Sequence, residues 1–403
     1  MDISYPFLPS LYQPLRTTSS SNMIRVRQIL LYCSIVLSAG CAENYEPPSI
    51  TGNVDIIVVD GFLNSTDNSA LVKLSRAVAL SGGTPEPEVG AAIKIEDENG
   101  GSYSLSEGGL GSYSAQNLPL VATVKYRLKI HTQRDQEYLS DYIPLNDSPA
   151  IDSISWKLVR DGITFFVSTH DPENKIEYYS WDFVETWEYV SSFFSTYMMV
   201  NGAAIERPVD QQIYRCWTTS SSTQILVGST TRLSNALISE FPLTAIEGNS
   251  LKLSQRYSIL VNQKALTKEA FEFWTQLERT SESLGGLFDP LPSQVVGNIR
   301  STSDSSEPVL GYFSGGTVSQ KRIFVDFRNL PPEIRAAREP APCNSANDIY
   351  VIDVADIPSQ PNSTYLVDPI YVPFIGIVAY NSASQRCVDC RAQGGTTQRP
   401  DFW

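Results

Sequence analysis

GAAIKIEDENGGSYSLSEGGLGSYSA, residues 90–115, alternates short polar and apolar runs with glycine turns. Within it Ala92 faces away from Ile93 and Ile95, the period-two pattern of a half-buried strand. "ENGG" and "EGGLGS" supply the turns that end such strands. The Gly-rich "GGLGS" at 108–112 has neither the lysine nor the strand-to-helix setting of a phosphate loop, so it reads as a hairpin turn. The same grammar runs outward on both sides. "VDIIVVDG", "ALVKLSRAV", "VKYRLKIHT" and "EYLSDY" are β-type runs, parted by "NSTDNS" and "SGGTPEPE".

Residues 54–148 are therefore expected to form a small β-sandwich. The recurring order of strand, Gly turn and Tyr-bearing strand resembles the transthyretin-like or carboxypeptidase-regulatory sandwich. Residues 149–330 read as a second, larger sandwich, resembling the fibronectin or immunoglobulin type. It opens with "IDSISWKLVRDGITFFVSTHDPEN", in which a turn at Arg160 to Gly162 joins two alternating strands. Asn201-Gly202 in "FFSTYMMVNGAAIE" is a strong hairpin signal. One segment departs from the β pattern, with helix predicted near 267–284. There Thr267 is placed to cap, Glu269 lies in the first turn, Phe271, Trp274 and Leu277 recur at helical spacing, and Gly285-Gly286 stop the helix. Trp274 on that stripe reads as a packing anchor. Residues 331–403 are Pro-rich and weakly periodic, and are expected to be an irregular tail held by cysteines.

The most concentrated aromatic run is "YYSWDFVETWEY". On a regular strand Tyr179, Trp181, Phe183, Trp187 and Tyr189 share one face. An exposed face of this kind would stack a sugar or dock a partner. Large aromatics dominate sandwich interiors, so core is the favoured reading. Ligand or partner contacts are expected instead from long loops around 184–215 and 284–320.

At the N-terminus, "MIRVRQILLYCSIVLSAGC" (23–41) has Arg25 and Arg27 before a short apolar stretch and small residues leading to Cys41. This is a secretion-signal pattern too short to span a bilayer. Leu37-Ser38-Ala39-Gly40-Cys41 is similar to a bacterial lipobox with its Leu displaced by one position, so Cys41 is the expected lipidation site. Residues 1–22 read as an extension ahead of a start at Met23, 23–40 as the signal peptide, and 41–53 as a Pro-bearing tether. A multiply acylated cysteine would anchor the chain durably without a spanning helix.

Of the 30 basic and 44 acidic residues, Arg16, Arg25, Arg27 and Asp2 precede residue 41, which leaves 27 against 43 and a net charge near −16. That balance excludes nucleic acid as a partner, since phosphate binding needs clustered Lys and Arg. Cys216, Cys343, Cys387 and Cys390 remain after Cys33 leaves with the signal and Cys41 is acylated. An even number in an exported chain reads as two disulfides. The favoured pairing joins Cys343 to one member of the Cys387–Cys390 pair and Cys216 to the other, with the choice open. A tetrathiolate zinc site would lack the second CxxC, and only His131 and His170 could add imidazole.

No enzyme is expected. His170 beside Asp171 is the better base, yet no GxSxG-type nucleophile elbow accompanies it, and it reads as a turn histidine. "DEN" at 97–99 and "DPEN" at 171–174 offer hard oxygens without a full calcium loop, and read as surface turns. No metal or cofactor is expected.

Taken in order, "IIVVDG", "GGLFDPLPSQVVGNI", "VLGYFSGGTVSQKRIFV" and the closing "CVDCRAQGGTTQRPDFW", after a lipobox, resemble the Bacteroidota outer-membrane lipoproteins catalogued as domain of unknown function 4249. Members are often encoded beside a TonB-dependent transporter. The resemblance thus implies an accessory or binding lipoprotein of the outer membrane, partner to such a β-barrel. Glu43 and Glu46 fit an acidic cell-surface export signal. The alternatives are an adhesive or structural surface lipoprotein and, further off, a hydrolase of surface polymers.

Overall fold

A computed structural model describes residues 56–77, 85–231, 236–282, 295–336 and 343–403, all within the compact unit Val54–Trp403. The chain is mainly β, with several sheets. In strand Ile57–Asn64 every second side chain is buried, as the alternation IVVDGFLN requires. It pairs antiparallel with Ser69–Arg76, which continues into Ser112–Ala115 and Ser106–Gly109. A facing sheet runs Glu137–Ser140, Tyr126–His131, Ala92–Asp97, Ser102–Ser104. Ile93 and Ile95 point inward and Ala92 outward, as their spacing predicts. Both sheets contribute to one core, with Val59, Val72 and Leu74 from the first and Ile95, Leu128 and Tyr138 from the second.

Each of these sheets takes its outer strand from far along the chain. Val309–Gly316 lies parallel to Ile57–Asn64, and Ile299–Ser301 pairs with Glu137–Ser140. Buried Asn298 ties the returning segment together, its side-chain amide donating to Phe313 O and accepting from Phe313 N, both at 2.8 Å. Gly311 allows the close approach. A Cβ built there would lie 2.0 Å from Val59 O, and its φ is +149°.

A second core lies between the sheet Ile151–Val159, Gly162–His170, Leu237–Glu247 and the sheet Arg215–Ser221, Tyr178–Val190, Arg256–Ala265, Val318–Asp326. Arg160 at φ 53° makes the turn between the first two strands. Helix Lys268–Glu282 is capped by Thr267, whose Oγ1 accepts from Ala270 N at 3.2 Å. Its most buried residues are Ala270 and Phe273, while Phe271, Trp274 and Leu277 are half-buried beside them. The inner stripe is thus one residue out of phase with the expected one: Phe273 packs on buried Tyr312, while Phe271 lies against half-buried Tyr178. The expected Gly285-Gly286 stop lies outside the described residues, as do Cys41, the signal, the tether and the extension before it.

The C-terminal segment corrects the expectation of an irregular tail. Ile349–Asp353, Gly376–Ala383 and Leu366–Val372 form a three-stranded antiparallel sheet. Pro369 sits at a register break in the outer strand, where a missing N–H breaks no ladder bond. The hairpin Tyr197–Val200 with Ala203–Glu206, turning on Asn201 and Gly202 at positive φ, packs on this sheet through Met199, Ile357, Leu366 and Tyr380.

Candidate functional site

Strand Tyr178–Val190 is the axis on which most of the chemistry-bearing side chains meet. Its lower half belongs to the second core, with Tyr179, Trp181 and Phe183 buried and Trp181 stacked on Phe241 at 4.5 Å between ring centroids. Trp181 Nε1 donates to buried Gln263 at 2.9 Å. Burial, and after it the nearby Asp171 and Asp152 charges, push the Tyr179 phenol up to about 12. The upper half passes beneath the C-terminal residues. Tyr189 is fully buried against the Cys216–Cys390 bridge and donates to Cys390 O at 3.1 Å. Trp187 is half-buried, with Lys252 Nζ 5.1 Å above its ring. The aromatic face is therefore interior, and the chain's own cation and disulfide occupy it.

Two buried carboxylates on this strand are each committed to a separate set of donors. Glu185 accepts from Tyr257 Oη and from Lys252 Nζ, both at 2.6 Å. The Tyr257 phenol is pushed well above its ordinary range by burial and then by the Glu185 charge. Glu188 pairs with Arg215 and accepts from Trp403 Nε1 at 2.9 Å. Trp403 also stands edge-on to Phe324, and Arg256 lies over both rings, 4.3 Å from that of Phe324 and 5.6 Å from that of Trp403. Arg322 sits 3.6 Å over Phe402. The closing "PDFW" is thereby clamped to the outer strands. Each carboxylate thus spends its oxygens on donors of this chain.

All four cysteines are bridged, Cys216 to Cys390 and Cys343 to Cys387, each with Cα atoms 5.7 Å apart. This is the favoured pairing, with the open choice between Cys387 and Cys390 now made. Asp348 lies within 4.8 Å of the Cys343 and Cys387 sulfurs, but those sulfurs bond each other. Asp348 instead accepts from Asn344 N at 3.0 Å and pairs with Arg386 at 3.4 Å. Burial raises the Asp389 carboxyl, but the Arg391 guanidinium and backbone N–H outweigh that and hold it below its usual value.

The histidines and hard-oxygen turns are local. His170 Nδ1 is 2.7 Å from Asp152 rather than joined to Asp171, and among the described residues no hydroxyl nucleophile bonds its ring. Asp171 accepts backbone N–H groups from Glu173, Lys175 and Ile176, closing its own turn. Asp97 does the same for Asn99 and Gly101 and takes the Tyr103 hydroxyl. His131 is exposed, 3.3 Å from Asp135. Much of the described part of the segments expected as contact loops carries regular structure. Residues 197–206 form the hairpin on the C-terminal sheet, and 299–301 and 309–316 are strands of the first core.

The sequence reading did not single out the exposed apolar tip of the hairpin between Leu366–Val372 and Gly376–Ala383. Phe374 there is 107% exposed, with Ile375 at 74% and Tyr371 at 67%. A signal was present in "PIYVPFIGIV", an uncharged run with prolines placed for a turn.

Compared with known proteins, the chain matches the family model described as Domain of unknown function (DUF4249) over residues 42–322. No curated protein matches. Among solved structures, that of a candidate carbohydrate binding protein from Bacteroides uniformis ATCC 8492 is similar at 10% identity, covering 54% of this chain and 92% of that one. Its TM-score of 0.13 is too low to carry anything about fold or ligand.

Proposed function

The chain belongs to the DUF4249 family, and from that premise we propose that it is an exported, lipid-anchored accessory or binding protein of the outer membrane, attached through Cys41 and partnered with a TonB-dependent nutrient transporter. The observation that carries this reading is the pair of disulfides, Cys216–Cys390 and Cys343–Cys387, with all four sulfurs buried. Bridges of this kind form and persist in oxidising compartments outside the cytosol. The lipobox-like Leu37 to Cys41 supplies the anchor, and the net negative charge keeps nucleic acid out of the account. A non-enzymatic role is supported by the commitments of Glu185, Glu188 and Asp171 to structural donors.

The test is made on native membranes. An alkyne-tagged palmitate analogue fed to cells should label the wild-type protein and leave Cys41→Ala unlabelled, and detergent extracts should yield the protein together with a large β-barrel. An unacylated Cys41, or a cytosolic protein with free thiols, removes the lipoprotein reading. An acylated protein repeatedly recovered without a barrel replaces the transporter partnership with a structural or adhesive role.

A further inference from the structure

The turn at Val372–Gly376 breaks two rules that surface hairpins ordinarily keep. The first is exposure, since Phe374 has the highest exposure among the large hydrophobic side chains described, with Ile375 and Tyr371 beside it. Scattered apolar side chains on a surface are ordinary, but three clustered on one projecting tip are not. The second is backbone conformation. Pro373 and Phe374 are the central residues of a turn closed by Ile375 N–H donating to Val372 O at 3.1 Å, and Phe374 has φ +68°. That third position in a Pro-initiated turn favours glycine, because a Cβ at positive φ is strained. Here it carries a phenylalanine fully in solvent. Leu110 also combines positive φ with exposure, but it stands between Gly109 and Gly111 with no other large apolar side chain beside it; at Phe374 the two coincide within a cluster of three exposed apolar side chains, and that cluster points to a partner outside the chain.

The chemistry of the tip selects the partner. Residues 369–385 contain no Asp, Glu, Lys, Arg or His, so there is no charge to match on a protein surface or on a lipid headgroup. The tip is convex. Much of the tip's backbone is paired internally, through the Ile375 to Val372 bond and the pairing of Tyr371 with Ile377 and Val372 with Gly376, while Pro373 has no N–H to leave unpaired. Backbone paired in this way costs less to bring into the interfacial layer, where the remaining apex groups still meet water and headgroup oxygens. Two or three strand residues span roughly 7–10 Å, and interfacial apolar groups bury about 5–10 Å into the headgroup and acyl boundary. Tyr371 at the base of the tip places a phenol where amphipathic rings favour the interface. We propose that the Tyr371–Ile375 tip inserts into the interfacial layer of a lipid bilayer, a contact made by the folded chain itself and separate from any acyl group at Cys41.

The bare chain is acidic and the tip offers no cation, so insertion should not need anionic lipid and should not weaken with salt. The test uses the mature chain, residues 41–403 carrying Cys41→Ala so that neither the apolar signal stretch nor an acyl group can hold it to lipid, oxidised, mixed with phosphatidylcholine vesicles and floated on a density gradient. The protein is expected to float. Phe374→Gly should lower the bound fraction's partition coefficient by roughly tenfold or more, adding Ile375→Ser should abolish flotation, and Phe374→Trp should keep it. Phe374→Gly should also melt at the same or a higher temperature than its parent, because glycine relieves the positive φ, so its loss of flotation will not be a folding defect. Three results would each overturn the proposal. These are absence of flotation in the parent, flotation unchanged in Phe374→Gly, and flotation that requires anionic lipid and disappears in high salt. A dimer abolished by Phe374→Gly, without flotation of the parent, would assign the tip to a second copy instead. Because Cys41 is removed throughout, failure here leaves the lipoprotein reading standing, and an unacylated native protein would leave this one standing.

Discussion

At the scale of single residues, the pair that links burial to a measurable property is Tyr257 with Glu185. Burial and the adjacent carboxylate favour the neutral phenol in the folded protein. Below the ordinary tyrosine value near 10 that preference changes nothing, because the unfolded chain also holds its proton. Above it the unfolded chain ionises and the folded one does not, so stability falls as pH rises past about 10. Tyr138, raised by burial and Glu307, and Tyr179 act in the same direction. Urea midpoints are therefore expected to drop between pH 9 and pH 11. Tyr257→Phe should be less stable at neutral pH by about 1–3 kcal/mol, as Glu185 loses a donor in the interior, but its decline across that window should be shallower. Parallel declines in parent and variant would show that this phenol is not responsible. Neither carboxylate partnership was legible in the sequence. Glu185 meets Lys252 and Tyr257, and Glu188 meets Arg215 and Trp403, across separations that only the folded sheet brings together.

At the scale of elements, the C-terminal sheet depends on the Cys343–Cys387 staple, which closes a segment with a sequence separation of 44. In the chain-entropy account a loop of that size contributes about 4 kcal/mol. Cys343→Ser with Cys387→Ser should lower stability by that order. Limited proteolysis should then cut first within 344–386, while fragments containing the first core persist. Cleavage that starts elsewhere, at the parent's rate, would show that the sheet holds without its bridge. Local signals read correctly where one short motif decides the outcome, as with Asn201-Gly202 in its hairpin and Thr267 at the helix start. They failed for Leu366–Val372 and Gly376–Ala383, because Pro369 and Pro373 look like breakers until one is seen at an edge-strand register break and the other in the turn. The aromatic run was read correctly as period-two over Tyr179 to Phe183. The alternation continues through Glu185; beyond it the strand lies under the C-terminal residues, so Thr186 and Glu188 are buried along with Tyr189 and the period is lost.

At the scale of the whole molecule, strand Val309–Gly316 joins segments some 250 positions apart, pairing with Ile57–Asn64 while the chain runs on into Val318–Asp326 of the second core's sheet. Periodicity alone cannot say to which sheet a strand returns, so this link was not legible. Gly311→Ala would drive a Cβ into Val59 O and is expected to cost at least about 3 kcal/mol. Denaturation followed by tryptophan fluorescence and by backbone circular dichroism should shift together; an unaltered midpoint would contradict this pairing. The two bridges add a consequence of their own, because the span 343–387 is nested inside 216–390. Any single backbone scission between residues 217 and 386 leaves both pieces tethered through sulfur. A nicked molecule would still travel as one particle and come apart only under a reductant.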